Sequence, residues 1–228
     1  MSALQELRTE IKHDVTRPIG SVVIEGELWL PEKATGLVLF AHGSGSSRHS
    51  PRNQFVARVI RAAGIGTLLF DLLTVEEETE ERWTRHLRFD IGLLAERLVG
   101  ATAWADLEDA TSHLRAGYFG ASTGAAAALT AAAELGGDVG AVVSRGGRPD
   151  LAGTALLRVK SPTLLIVGGR DAAVIDLNRE AFKQLDCEKE LLIVPGATHL
   201  FEEPGTLEEV AALAAAWFKA HLSGTGSE

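Results

Sequence analysis

The chain of 228 residues carries 31 acidic and 22 basic side chains, and its net charge of −9 repels nucleic-acid phosphates and anionic membrane surfaces. With 46% apolar and 23% charged residues it can bury one substantial core, which excludes a disordered chain and suits a single α/β domain spanning 1–228. The lone cysteine, Cys187, excludes an intrachain disulfide and a thiolate zinc cluster.

The amino terminus MSALQELRTEIKHD is charged throughout and lacks the apolar h-region of a signal peptide, so a cytoplasmic protein without a membrane partner is expected. Next come LRTEIKHDV and SVVIEGELWLP, two strand-like runs around Arg17, Pro18 and Gly20, which predict an antiparallel hairpin at a sheet edge. From residue 35 onward, short apolar runs alternate with segments of helical period. The predicted strands are 36–42, 66–72, 116–121, 140–146, 163–169 and 190–196. The predicted helices are 52–63, 87–104, 123–135, 174–184 and 206–221, with Gly64, Gly136 and Gly137 as stop signals. Strands this continuously apolar belong to a sheet covered on both faces, giving an α/β fold with about eight mostly parallel strands. The acidic run at 74–86 is a short insertion, expected as a solvated face or helix, with Trp83 packed in the core or at a rim; 223–228 is a flexible tail.

One strand-to-helix junction reads FGASTGAAAALTAAAEL. Ser122 sits between Gly120 and Gly124 in the pattern GxSxG, where a reversal this tight strains the central residue and tolerates no Cβ two positions away. Alanines at 125–128 keep the helix thin, and its amino terminus offers free amides to an oxyanion. A serine hydroxyl needs a base, and that base needs an orienting acid. TLLIVGGRD runs out to Asp171 and ELLIVPGATHLF to His199, both at the carboxyl ends of predicted strands, where such sheets bind ligands. Asp150, after the preceding strand, is an alternative acid.

On these motifs the chain resembles the α/β-hydrolase superfamily over about residues 20–222, and within it the small cap-less dienelactone-hydrolase-like branch. The resemblance implies Ser122 as nucleophile, Asp171 as acid and His199 as base. It also implies an oxyanion hole from the backbone amides of Ser44, in LVLFAHGSGSSRHSPRN, and Thr123. Dienelactone hydrolases proper carry cysteine at the elbow; serine here favours ordinary esters. The expected activity is therefore a carboxylesterase-type serine hydrolase of small esters. Lactone or thioester hydrolysis by the same triad remains open, as does a silent, ligand-binding module on the same fold. No cofactor or metal is expected, and either a monomer or a homodimer is allowed. His42 is expected to be a buried hydrogen-bonding residue. GSGSS lacks the GK[ST] ending of a phosphate loop. Arg48, His49, Arg52 and Asn53, with Arg145 and Arg148 after another strand, place cations near the expected site. They either bind an anionic substrate group or pair with Asp150, Asp90 and nearby glutamates.

Overall fold

A computed structural model describes residues 10–223; positions 7–9 of the first predicted strand and 224–228 of the predicted tail lie outside the described residues. Eight strands form one sheet. β1 (Glu10–Ile19) and β2 (Val22–Pro31) are the antiparallel hairpin. Its turn is Gly20–Ser21, so Arg17 and Pro18 belong to β1 rather than to the turn, and Pro18 is tolerated because β1 is an edge strand.

The parallel strands β3 (Leu37–Ala41), β4 (Gly66–Phe70), β5 (Ala116–Ala121), β6 (Val139–Arg145) and β7 (Thr163–Gly168) are buried at every position. β8 (Lys189–Val194) closes the far edge and buries only Val194 fully, which suits its charged Lys189 and Glu190. The order across the sheet is β1-β2-β4-β3-β5-β6-β7-β8. β2 pairs antiparallel with β4, and every later pairing is parallel. Side chains alternate between two cores. One holds Leu39, Leu68, Tyr118, Val142 and Leu165 under α3 (Ile91–Leu107) and α4 (Thr123–Leu135). The other holds Phe40, Phe119, Val143 and Ile166 under α1 (Pro51–Ala62) and α6 (Thr206–Leu222).

Helix ends obey local chemistry more closely than periodicity. α1 begins at Pro51 because Ser50 caps it, accepting from the Asn53 amide, and proline suits the first helical position. α3 starts at Ile91, four residues beyond the predicted boundary, because Leu87–Phe89 forms a separate 3-10 turn and the Asp90 side chain caps α3 by accepting the Leu93 amide. α5 (Ala172–Gln184) begins two residues earlier than expected. A 3-10 stretch, Pro149–Arg158, has no counterpart among the predicted elements.

The acidic insertion is α2 (Val75–Thr84), opened by a reciprocal cap between Thr74 and Glu77. It is not simply solvated: Glu77 also takes Arg97 of α3 at 2.8 Å, and buried Glu81 accepts the Leu87 amide at 2.7 Å and pairs with Arg88. Those donors, chiefly Arg88, hold the Glu81 carboxyl below its ordinary range against the opposing effect of burial. Trp83 is 85% exposed and packs in neither core nor rim. Among the described residues no helix is long and apolar enough to cross a membrane.

Candidate active site

Ser122 follows the last residue of β5 and caps α4 with φ 51° and ψ −121°, a conformation rare for a residue bearing a side chain. The surrounding backbone enforces it. The Ser122 amide donates to the Arg145 carbonyl, while its own carbonyl accepts the amides of Ala125 and Arg148. The flanking glycines are obligatory. A Cβ on Gly120 would lie 2.4 Å from Ala125 Cα, and one on Gly124 would lie 2.1 Å from the Ala41 carbonyl oxygen. Ala125 to Leu129 are fully buried, so the helix lies close against the sheet with Ser122 at its tip.

The ends of β7 and β8 converge on a histidine. Asp171, at the head of α5, makes no cap bond with its carboxylate; Oδ2 instead accepts from His199 Nδ1 at 2.7 Å. A carboxylate only accepts, so Nδ1 carries the proton and Nε2 is left as the basic ring nitrogen. Asp171 is largely shielded, and the His199 side chain is about 39% exposed. The histidine loop is tied down by three amides: Thr198 to Glu203, Arg170 to Ala197 and Gly169 to Val194. Gly168 permits this, because a Cβ there would stand 2.5 Å from the Ala197 and Thr198 carbonyl oxygens. Asp150 is occupied elsewhere, in a two-point contact with Arg148 at 2.8 and 2.7 Å.

Opposite the elbow, the Ser44 amide donates to Thr123 Oγ1 at 3.2 Å and the two hydroxyls lie 3.0 Å apart. Thr123 is the first residue of α4, so its own amide has no acceptor within the helix. His42 is buried and neutral: Nε2 accepts the Leu72 amide and Nδ1 donates to the Gly43 carbonyl, both at 3.0 Å, and burial holds its pKa below the usual histidine range. It joins the loop after β3 to the loop after β4.

Beside Ser44 opens a cleft of about 600 Å³ between the 44–52 loop and α2, lined by Ser46, Ser47, His49, Arg52, Thr79 and Arg82 among others. The cations expected near the site separate here. Arg48 is tied to Asp71 and Glu25, Arg148 to Asp150, and Arg52 loosely to Glu202 at 3.4 Å, whereas His49 lines the cleft. Arg145 makes no side-chain hydrogen bond or ion pair among the described residues, a feature that residue type alone does not reveal.

Residues 51–222 match the dienelactone hydrolase family. The chain belongs to that family. It is 60% identical to a dienelactone hydrolase from Anabaena variabilis of known crystal structure, covering 93% of this chain and 99% of that one, with a TM-score of 0.92. Est1E from Butyrivibrio proteoclasticus shares the α/β-hydrolase fold at a TM-score of 0.74 and 15% identity, over 90% of this chain and 97% of that one. Two Mycobacterium tuberculosis proteins, from strains CDC 1551 and H37Rv, carry the provisional name phosphoribosyl transferase; they are 59% identical over 207 residues, 91% of this chain. The match covers 46% of their length, so the chain spans about half of those curated relatives. The family is one of hydrolases.

Proposed function

We propose that the chain is a carboxylesterase-type serine hydrolase acting on small esters. The observation that carries the reading is the 2.7 Å bond between Asp171 and His199, on the same sheet edge as a serine held in a strained elbow. His199 Nε2 takes the Ser122 proton as Oγ adds to the ester carbonyl. The Thr123 amide, at the positive end of α4, faces the developing oxyanion. The Ser44 amide joins it by exchanging its bond to Thr123 Oγ1 for one to the oxyanion. His199 then returns the proton to the leaving alcohol and activates a water that releases the acid and regenerates Ser122. Each step moves a proton or forms and breaks one acyl bond, so the chemistry draws on no cofactor.

Serine where dienelactone hydrolases proper carry cysteine favours esters over a dienelactone. The polar lining of the cleft beside Ser44 favours small hydrophilic substrates over long acyl chains. The phosphoribosyl transferase name of the mycobacterial relatives belongs to proteins about twice this length, of which the match covers 46%. A fluorophosphonate probe tests the nucleophile: it should label the wild type and not Ser122→Ala, and labelling that persists in the variant removes the assignment. A panel of aryl esters of increasing acyl length, alongside lactones and thioesters, tests the substrate class. If none turns over, the esterase reading gives way to a binding module.

A further inference from the structure

Asn178 is completely buried on α5, two turns into the helix that Asp171 opens. Its side-chain nitrogen donates to the Gly147 carbonyl at 3.0 Å and to the Val174 carbonyl at 2.8 Å. Both partners are carbonyl oxygens, which only accept, so the nitrogen must face them. Oδ1 then faces away, buried and without a partner among the described residues. In acceptors the arrangement gains nothing: the Gly147 oxygen is answered and the asparagine's own oxygen is not. A leucine of similar size would leave the same count without desolvating an amide, so stability alone does not account for the residue. What the asparagine adds is a tie of fixed length between α5 and residues 145–148.

That short segment meets all three candidate catalytic positions. Through Asn178 it is joined to the helix headed by Asp171. The Arg145 carbonyl accepts the Ser122 amide at 3.2 Å, and the Arg148 amide donates to the Ser122 carbonyl at 3.0 Å. Gly146, at φ 51°, lies against the histidine: a Cβ there would stand 3.0 Å from the His199 carbonyl oxygen and 3.6 Å from Nδ1. Gly147 is pressed against β6 and α4, where a Cβ would meet Ser144 Oγ at 2.0 Å and Ala125 Cβ at 2.5 Å. Two adjacent glycines give the segment little stiffness of its own. The Gly146 amide is held by the Ile166 carbonyl at 2.8 Å and the Arg148 amide by Ser122; between them, the Gly147 carbonyl is held by Asn178.

We propose that Asn178 is a positioning residue for the hydrolytic site: it fixes residues 145–148 and, through them, how Ser122 stands relative to His199. The inference rests on the reading of Ser122, Asp171 and His199 as the catalytic groups.

Hydrogen exchange of the purified chain tests the tie first. In Asn178→Leu the amides of Ser122 and Arg148 should exchange about tenfold faster than in the wild type, while those of Thr198 and Leu87, bonded elsewhere, stay within about twofold. Unchanged exchange at Ser122 and Arg148 overturns the proposal whatever the activity. The second measurement follows hydrolysis of an aryl acetate well below both melting temperatures. In Asn178→Leu, kcat should fall about tenfold with KM within about twofold, and the rate of fluorophosphonate labelling should fall with it, since both depend on the meeting of Ser122 and His199. Leu98→Ala, a cavity in the core under α3, separates position from stability: it should lower Tm at least as far as Asn178→Leu and leave kcat within about twofold. A leucine variant as fast as the wild type, or a fall in kcat that Leu98→Ala shares, overturns the positioning role. If Asn178→Leu does not fold, Asn178→Ala, which leaves space in place of the amide, is judged by the same exchange and kcat thresholds. A wild type that neither cleaves the ester nor takes the probe removes the catalytic reading on which the proposal rests, whereas an active wild type with an unaffected variant removes the proposal alone.

Discussion

The two flanks of Ser122 are built to different standards. On the side of β7 and β8, Asp171 holds His199, and Thr198, Arg170 and Gly169 each place an amide on a named acceptor. On the side of α1, by contrast, Arg145 Nε and Nη1, Arg52 Nε and Asn53 Oδ1 are buried without partners among the described residues. The first flank holds its groups in place by bonds made within the fold, whereas the second leaves several polar atoms short of them.

The largest effects should fall on the bonded flank. Ser122→Ala should lower kcat by about 10⁴-fold or more in a steady-state ester assay, with fold and Tm retained. Asp171→Asn should come next at roughly 10³- to 10⁴-fold, because the amide favours the wrong tautomer at His199, while Asp150→Asn should stay within about threefold. The reverse ranking would move the acid to Asp150. Thr123→Val removes the hydroxyl that now holds the Ser44 amide; loss of this tie should reduce kcat about tenfold with little change in KM, and a variant as fast as the wild type would show that the bond positions nothing.

The smallest expected effect is on stability. His42 is neutral in the fold, with its pKa below the unfolded value of 6.5, so its contribution is present above that pH and is lost as pH falls below it. The Tm of the wild type should therefore drop by a few degrees between about pH 7.5 and 5.5, and His42→Gln should flatten that slope. An unchanged slope would mean that another histidine sets it.

Most of the scaffold could be read from periodicity and punctuation. Strands such as GLVLFAH and TLLIVGG are buried on both faces and so are apolar without interruption, and GASTG announces its turn through two glycines that no other residue can replace. The positions of Asp171 and His199 came from the same logic of strand ends. What could not be read depends on contacts between distant segments. Nothing local marks Pro18 as lying inside a strand; that depends on β1 being the sheet edge. Nothing in VEEETEER says that Glu81 is buried, since its partners Leu87 and Arg88 come after the helix ends. The cations near the site were visible as a group, yet only the fold sorts Arg48, already held by Asp71 and Glu25, from the unpaired Arg145.

The elbow carries a consequence for how such enzymes diversify. Its strained φ is imposed by the Arg145 carbonyl, the Ala125 and Arg148 amides and two glycines, none of which belongs to the Ser122 side chain. The socket is thus indifferent to which small side chain it holds. Exchanging oxygen for sulfur there should cost the fold little and change only which leaving groups are expelled. A β-branched threonine, whose extra methyl meets the backbone at positive φ, should not be admitted. Serine and cysteine should therefore be exchangeable at this position by a single substitution, while the sheet beneath it stays as it is.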